Sequence, residues 1–318
     1  MKSILLLLLT AITMWANAHI FVYHRFGDSR YPTTNTTVEE LRNNFEYFKN
    51  NGYEVIPLEK LINALKDKKD IPDNWVVLTI DDSYKSFYTN GLDVFKEYKY
   101  PFSLFIPVEA IEKKYPDYTS WEELKEISKY GTLEFHSYGH KHMTYISDEE
   151  IKEDFEKGLK LFEKNLNIKP KVFSYPYGEY SPRVEKIAKS YGFDAIINQN
   201  MGAVSSFSNV YNLDRTALVG KSNLKLYLRY KALNAKWIEP TKFPQDSLLQ
   251  SVHVKTDEKA KNGGIYVSGH GWLQTKLKDG DFNIKLNKKL TNKRSRVIIS
   301  VGNKIASKLL IKDKYGTK

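Results

Sequence analysis

The sequence predicts an α/β fold, a closed parallel barrel followed by a small all-β module. Between residue 19 and about residue 240, short apolar segments alternate with amphipathic helical segments, and seven such strand–helix units favour a closed barrel over an open sheet. Beyond residue 245 the hydrophobic period changes to two, and Gly, Asn and Asp turns separate the segments. We therefore predict a barrel domain over residues 19–240 and a small β-sandwich-like domain over residues 245–318.

The first 18 residues have the features of a signal peptide. Lys2 precedes an apolar run from Ile4 to Leu9, and Ala16-Asn17-Ala18 places small residues around a cleavage site. The run is short for a membrane span, so we prefer a cleaved signal peptide over residues 1–18 to an uncleaved anchor. We expect a secreted or periplasmic protein with no transmembrane span after cleavage.

Seven apolar segments are the candidate barrel strands. They are Ile20–His24, Tyr53–Ile56, Trp75–Ile80, Phe102–Pro107, Thr132–His136, Val172–Tyr175 and Ala195–Asn198. Three of the intervening helices begin with a capping box, in which Ser or Thr precedes Glu by three positions. These boxes pair Thr37 with Glu40, Ser120 with Glu123, and Ser147 with Glu150.

The C-terminal part has its own strand pattern. The segment Trp237–Pro244 contains two prolines and is interpreted as a linker. The strand candidates beyond it are Ser251–Val254, Gly264–Ser268, Phe282–Leu286, Arg296–Val301 and Ser307–Ile311. Their alternation of apolar and polar residues predicts a small antiparallel sandwich.

The positive charge is concentrated in this C-terminal part. Residues 241–318 contain 17 Lys and Arg against 6 Asp and Glu, whereas residues 1–240 contain 32 of each, so the formal net charge of +11 arises there. A basic exported module can bind an anionic cell-envelope polymer, or its charge can serve solubility alone. Nucleic acid is disfavoured by the signal peptide and by the absence of a nucleic-acid-binding motif.

Composition excludes several chemistries. The chain has no cysteine, which rules out disulfides, a Cys nucleophile and a zinc finger. Its 318 residues suffice for one large domain and a smaller one.

Two adjacent carboxylates mark a candidate site. The apolar run that starts at Trp75 ends at Ile80, and Asp81 and Asp82 follow directly. In parallel α/β folds, groups that act on substrate lie at the C-terminal ends of strands. The pair therefore indicates chemistry more readily than a helix cap, although Asp also favours caps.

A pair of histidines repeats this arrangement. His136 ends a predicted strand, and His140 follows four residues later, a spacing that would place both rings on one side of a helical turn. One carboxylate with two imidazoles suits Zn²⁺, Co²⁺, Ni²⁺ or Fe²⁺ and leaves coordination positions open, as in catalytic sites. His142 would point elsewhere on such a turn and is interpreted as a surface residue or an outer support of the site.

A third segment, Tyr175-Pro176-Tyr177-Gly178, ends another predicted strand in a turn that can present backbone N–H groups to a ligand. Three segments together resemble the motifs of the polysaccharide deacetylases, carbohydrate esterase family 4 with a NodB-homology domain. Asp81-Asp82 resembles T-F-D-D-G, His136-Ser137-Tyr138-Gly139-His140 resembles H-S/T-x-x-H, and this third segment resembles R-x-P-Y/F-G. The resemblance covers about residues 19–238 and implies a distorted (β/α)₇ barrel. The Tyr23-His24-Arg25 opening looks closest to the poly-N-acetylglucosamine deacetylase branch.

The sequence also departs from the family motifs. Ile80 replaces Phe, Ser83 replaces Gly, and Ser174 stands where the family usually has an Arg that helps to orient the base. The family's usual C-terminal His is absent as well, since the histidines after His142 lie in the β module.

The resemblance implies hydrolysis of an acetamide. A metal held by Asp82, His136 and His140, most simply Zn²⁺, would lower the pKa of a water and polarise the acetyl carbonyl, and Asp81 would serve as general base. The resemblance implies that the Tyr177 backbone N–H helps to hold the oxyanion, within a substrate-facing turn that includes Tyr175 and Pro176.

His24 is the candidate proton donor to the leaving amine. It ends the first predicted strand, so a barrel places it on the same rim as Asp81 and His136. An imidazole there can donate a proton or hydrogen-bond the tetrahedral intermediate, although a buried His satisfied by its neighbours would have the same pattern.

Three functions fit these sequence features. The first is a metal-dependent N-deacetylase of a poly-N-acetylglucosamine-like, chitin-like or peptidoglycan polymer. The second is an O-acetyl polysaccharide esterase on the same fold. The third is a carbohydrate-binding protein with a decayed site, which the Ser83 and Ser174 departures would explain.

Overall fold

The structure is a computed structural model, and it describes residues 17–316. The predicted signal peptide therefore lies outside the described residues except for Asn17 and Ala18. Among the described residues, no helix has the length and apolar character needed to cross a membrane.

Short strands and helices alternate through the first part of the chain. Its strands are β1 (His19–Tyr23), β2 (Arg25–Phe26), β3 (Asn35–Thr36), β4 (Glu54–Val55), β5 (Trp75–Ile80), β6 (Ser103–Ile106), β7 (Thr132–Phe135), β8 (Val172–Ser174), β9 (Ala195–Ile197) and β10 (Thr216–Ala217). Its helices are α1 (Val38–Asn50), α2 (Leu58–Lys66), α3 (Leu92–Tyr98), α4 (Val108–Glu112), α5 (Trp121–Ile127), α6 (Asp148–Leu166), α7 (Pro182–Ser190) and α8 (Leu224–Tyr227).

One parallel sheet organises this part. Its strands lie in the order β10-β1-β5-β6-β7-β8-β9, with β4 beside β5, and all of these pairs are parallel. The outermost strands β9 and β10 are not joined by a ladder in the described residues, and a single parallel bridge joins Ile197 to Leu213 near that gap. The sheet is therefore an incompletely closed, distorted (β/α) barrel, which confirms the predicted fold class.

The seven predicted barrel strands agree with β1 and with β4 to β9 to within one residue at each end, whereas the predicted C-terminal strands differ from the observed ones by up to three residues. All three predicted capping boxes are present, at the N-termini of α1, α5 and α6. Strand β10 was not predicted because only two residues pair in it, too few to show a period.

Side chains of β5 alternate between two environments. Leu78 and Ile80 pack into a core beneath the outer helices, whereas Val77 packs into a second core with α2. On the Val77 face the next positions are Thr79 and Asp81, both completely buried. The interior of the barrel therefore changes from apolar to polar toward the C-terminal end of β5, where the candidate site lies.

The C-terminal part forms two sheets around one apolar core. Its strands are β11 (Lys231–Ala232), β12 (Ala235–Glu239), β13 (Leu248–Thr256), β14 (Asn262–Val267), β15 (Gly271–Lys276), β16 (Phe282–Lys289), β17 (Arg294–Val301) and β18 (Lys304–Ile311). The sheets have the orders β11-β18-β17-β14-β15 and β12-β13-β16. This two-sheet arrangement agrees with the predicted sandwich-like module.

The predicted linker needs a correction. Residues Trp237 and Glu239 are the end of β12, which pairs with β13, so this part of the Trp237–Pro244 segment is strand. The C-terminal sheets thus begin before residue 240, with β11 and β12. The prolines marked a real break in regular structure, but the strand before them carries too few apolar residues to be recognised by period.

The C-terminal sheets also contact the barrel directly. Arg296 Nη2 donates to the backbone oxygen of Gln199 at 2.7 Å. Asp313 accepts hydrogen bonds from Ser181 at 2.5 Å and from Arg183 at 3.1 Å. These contacts place the module against the loops that follow β8 and β9.

Candidate active site

The register of the sheet brings the predicted site residues to one rim. Tyr23 pairs with Ile80 and Ile106 pairs with Phe135, so the residues that follow these strand ends lie at the same edge. The backbone N–H of Asp81 donates to Tyr23 O at 2.9 Å, which fixes His24 beside Asp81.

Asp82, His136 and His140 form a compact cluster. Asp82 Oδ1 lies 3.5 Å from His136 Nε2 and 3.1 Å from His140 Nε2. One ligand atom from each residue lies within 4.8 Å of the others. Asp82 and His136 are buried, whereas the His140 side chain is 25% exposed, so the cluster opens to solvent on the His140 side.

The helical turn predicted for this pair is wrong. Residues 136–142 form an irregular loop after β7, in which Ser137 and His140 have φ of 72° and 48°. The two imidazole rings nevertheless lie 4.9 Å apart, centroid to centroid. Left-handed backbone conformations fold the loop back on itself, which a spacing rule for helices does not foresee.

Several residues around the cluster have positive φ. They are Asp82, Ser83, Ser137, His140 and Tyr177. Such conformations cost on the order of 1 kcal/mol or more for a non-glycine residue, and they concentrate at functional sites. Ser83 has φ of 54°, which explains why Gly suits this motif position, and its Oγ lies 2.7 Å from Thr119 Oγ1.

The cluster fits a divalent cation. Asp82 Oδ1 is buried and has no hydrogen-bond partner among the described residues, so its lone pairs are free for a ligand. His136 Nδ1 lies 2.7 Å from Ser174 O, so Nδ1 carries the proton and donates it to this carbonyl. The lone pair of His136 Nε2 is therefore available to bind a metal. A carboxylate with two imidazole nitrogens suits a borderline metal such as Zn²⁺.

Electrostatics keeps the two carboxylates ionised. Burial raises the pKa of Asp82, but the His136 and His140 imidazoles hold it well below its usual range. Burial likewise raises the pKa of Asp81, but the Arg215 guanidinium and His136 bring it below its usual range. Both groups therefore carry negative charge at neutral pH.

Asp81 is held by a residue that the sequence analysis did not find. Arg215 Nη1 donates to Asp81 Oδ1 at 2.7 Å and Arg215 Nη2 donates to Oδ2 at 2.6 Å. Arg215 Nη2 also donates to Ser174 Oγ at 2.7 Å. An Arg that contacts Asp81 is thus present, and it lies in the segment before β10. The small side chain of Ser174 leaves space for the Arg215 guanidinium.

A weak signal for Arg215 existed in the sequence. It lies in the run Leu213-Asp214-Arg215-Thr216-Ala217, where an apolar residue on either side indicates a short buried segment. The contact with Asp81 spans 134 residues, so no local pattern predicts it.

His24 lies on the predicted rim, and its Nδ1 is buried without a hydrogen-bond partner among the described residues. Burial lowers its pKa, while Asp82 and Asp81 raise it less strongly. The imidazole is therefore neutral near pH 7 in the free protein. Its role as proton donor remains a prediction.

The third motif forms a single 3₁₀ turn, Pro176–Gly178. The Tyr177 ring is 36% exposed and lies 4.5 Å from the His140 ring, so it faces the cluster. Pro176 and Tyr175 are buried, and the Tyr175 ring packs between Phe173 and Tyr180. Only Tyr177 of this turn has a side chain that a substrate arriving from solvent can reach.

His142 lies outside the three-residue cluster and beside it. Its ring stacks on Tyr177 at 3.9 Å, and its Nδ1 lies 2.8 Å from Glu179 Oε2. This position agrees with the interpretation of His142 as an outer support. Through Tyr177, it fixes one wall of the site.

The barrel carries an Asp-His-His cluster and a buried, Arg-bound carboxylate at its C-terminal rim. These are the features of a hydrolase that activates water at a metal. Comparison with known proteins narrows this class. Residues 68–196 match the family model of polysaccharide deacetylases. The match confirms the predicted resemblance to the polysaccharide deacetylases for this part of the barrel.

Two relatives and one solved structure illustrate the similarity. A putative polysaccharide deacetylase of Bacillus subtilis, YxkH, is 24% identical over 202 residues, 63% of this chain and 71% of the relative. The poly-β-1,6-N-acetyl-D-glucosamine N-deacetylase of Escherichia coli K12 is 23% identical over 244 residues, 63% of this chain but only 35% of the relative. The fold is similar to that of the Streptococcus pyogenes deacetylase PplD in complex with acetate, with a TM-score of 0.61 and 18% identity over 65% of this chain and 94% of the other.

Proposed function

We propose that this protein is a metal-dependent N-deacetylase of an N-acetylhexosamine polysaccharide. The observation that carries the proposal is the Asp82, His136 and His140 cluster next to an ionised carboxylate, Asp81, that does not belong to it. A water and an acetamide bound between the cluster and Asp81 would have the metal on one side and the carboxylate base on the other.

Asp82, His136 and His140 would hold the metal. When bound, a divalent metal lowers the pKa of a water and polarises the acyl oxygen of the substrate. The His136 Nδ1 hydrogen bond to Ser174 O keeps the ring oriented toward the cluster.

Asp81 would take the proton of the attacking water. Arg215 binds both of its oxygens, so it orients the carboxylate and keeps it ionised in a site from which water is largely excluded. The same contact lowers the basicity of Asp81, which is tolerable because the water itself is made more acidic.

Breakage of the C–N bond requires a proton on the leaving amine. His24 would pass to the amine the proton that Asp81 takes from the water, because it lies beside Asp81 directly after β1 and its Nδ1 has no partner among the described residues. The backbone N–H of Tyr177 would stabilise the oxyanion, and acetate and a free amine are the products.

The names of the relatives support poly-β-1,6-linked N-acetylglucosamine as the substrate class. The predicted signal peptide supports an extracytoplasmic location, secreted or periplasmic, where such polymers occur. Zn²⁺ is the preferred metal because two of the three ligands are imidazoles. Binding of an anionic envelope polymer to the basic module remains a separate prediction, recognisable by weakening with salt.

The other two functions are less favoured. A decayed site was suggested by the absent motif Arg, but Arg215 contacts Asp81 from another segment. An O-acetyl esterase would use the same site residues. Comparison of acetate release from amide and ester substrates decides between N-deacetylation and ester hydrolysis.

The test is acetate release from poly-β-1,6-N-acetylglucosamine, chitin oligomers, peptidoglycan and acetylated xylan, with metal analysis of the same preparation. Amide hydrolysis that is lost on chelation and restored by Zn²⁺ would support the proposal. Release from xylan alone would assign the esterase function, and a metal-free preparation that no divalent ion activates would leave only a binding function.

A further inference from the structure

A cavity that is separate from the candidate active site lies between the barrel and the C-terminal module. It has a volume of about 330 Å³ and is bordered by residues of the loops after β8 and β9 on one side and of β12 and β18 on the other. This size is at the lower end for ligand sites, enough for one small molecule. The metal-ligand cluster does not border it.

Polar atoms that lack partners border this cavity. Asn200 is 2% exposed and Ser307 is 8% exposed, yet Asn200 Oδ1 and Ser307 Oγ have no hydrogen-bond partner among the described residues. Leaving such groups unpaired costs about 1 to 3 kcal/mol each. A ligand with hydroxyl groups would satisfy both.

The charges that border the cavity are mixed. Lys308 has no acidic partner among the described residues, and burial lowers its pKa. Asp214 faces the cavity from the barrel side, where burial raises its pKa to about 7 despite hydrogen bonds from Asn198 and Asn200. Charged side chains of both signs also border the cavity, namely Arg183, Glu185, Lys242 and Asp313. This balance favours a neutral polar ligand over an anion or a cation.

Aromatic side chains complete the lining. Trp237, Tyr180 and Phe243 border the cavity, and Trp237 lies at a β-bulge of β12, a feature that re-aims side chains. The Lys308 ammonium lies 5.3 Å from the Trp237 ring centroid. Aromatic faces offer apolar contact to the C–H face of a pyranose, while the surrounding amide, hydroxyl and ammonium groups meet its hydroxyls.

We propose that this cavity is an accessory carbohydrate site that binds one pyranose unit of the polymer. The proposal rests on the proposed function for its substrate class, but the cavity is separate from the candidate active site. Asn200 and Asp214 adjoin Gln199 and Arg215 in sequence, so one layer of loop separates the two sites.

The experiment measures binding by calorimetry to two tetrasaccharides, β-1,6-linked N-acetylglucosamine and β-1,6-linked glucose. The second has no acetyl group, so its binding is independent of hydrolysis. The variants are Lys308→Met, Ser307→Ala and Trp237→Ala, and Lys255→Met, an exposed lysine of β13 outside the cavity, is the matched control.

We expect Lys308→Met and Trp237→Ala to weaken binding by about tenfold or more, and Lys255→Met to leave it unchanged. Ser307→Ala should keep or raise Tm, because it removes a buried hydroxyl that has no hydrogen-bond partner among the described residues. A purely structural role predicts the opposite, a lower Tm with unchanged affinity, and that result would overturn the proposal.

Absence of binding to both sugars by the unaltered protein would also overturn it. Acetate release from the N-acetylglucosamine tetrasaccharide is measured in parallel, and the three cavity variants should retain kcat. If the unaltered protein binds the glucose tetrasaccharide at this cavity but releases no acetate from any polymer, the proposed function fails and the cavity assignment stands.

Discussion

Arg215 and Asp81 form a bidentate ion pair in which both side chains are completely buried. The pair joins the end of β5 to the segment before β10 across the interior of the barrel. Because the two guanidinium nitrogens occupy both carboxylate oxygens, the plane of Asp81 is fixed relative to the Asp82 cluster.

Arg215→Lys should therefore impair turnover more than folding. Lysine keeps the charge but loses the two-pronged contact, so we expect kcat to fall by about tenfold or more while the metal content stays normal. Arg215→Met should in addition destabilise the protein by roughly 3 to 5 kcal/mol, because Asp81 is left buried and unpaired. Unchanged kcat in Arg215→Lys would show that Asp81 needs no orientation.

His140→Ala should lose metal and acetate release together, because it removes one of the three proposed ligands. His142→Ala is the matched control, since His142 stacks on Tyr177 but lies outside the cluster. Metal analysis of both purified variants checks this. Equal metal content in the two variants would contradict the ligand assignment.

Asp81→Asn should separate the two carboxylates. We expect the variant to keep its metal and to lose turnover by roughly 10² to 10⁴, as is typical when a general base is removed. Loss of metal instead would mean that the roles of Asp81 and Asp82 are reversed.

His24→Ala should retain metal and lose kcat by roughly 10² or more if the imidazole delivers a proton to the amine. The readout is acetate release at saturating substrate, beside metal analysis. An O-acetyl substrate is the internal comparison, because an alcohol leaves more readily than an amine and should depend less on His24. Near-normal kcat on the amide would make water or another residue the donor.

Glu134→Gln should change the dependence of stability on pH. Burial raises the pKa of Glu134 to about 7, although backbone N–H groups of Val172 and Lys171 donate to it. The folded state therefore holds a proton that the unfolded state has released, and stability is lost as pH rises from about 4.5 to about 7.

The amide of Gln keeps the acceptor without the charge. The variant should be more stable than the unaltered protein at about pH 8, by on the order of 3 kcal/mol, and the difference should shrink toward about pH 5. Urea unfolding at the two pH values measures it, with Glu163→Gln, an exposed carboxylate of α6, as the control. A difference that does not vary with pH would contradict the assignment.

Local sequence was sufficient for the seven barrel strands, for three of the helix starts and for the three residues of the Asp82, His136 and His140 cluster. The run before Asp81 is β-branched and apolar, which favoured a buried strand whose end lies on the rim of a parallel sheet. The same reasoning placed His136 and His24, because side chains that follow parallel strands meet at one edge.

Tertiary structure decided what depends on contacts between distant segments. Arg215 contacts Asp81 from the position directly before a two-residue strand. The His136–His140 loop turns through left-handed conformations rather than a helix. The cavity beside Asn200 exists only because the C-terminal sheets pack on the barrel. Periodicity reports which face of an element is buried, but not which partner buries it. For that reason, the sequence predicted which residues form the cluster, and only the fold determined the groups that orient and surround it.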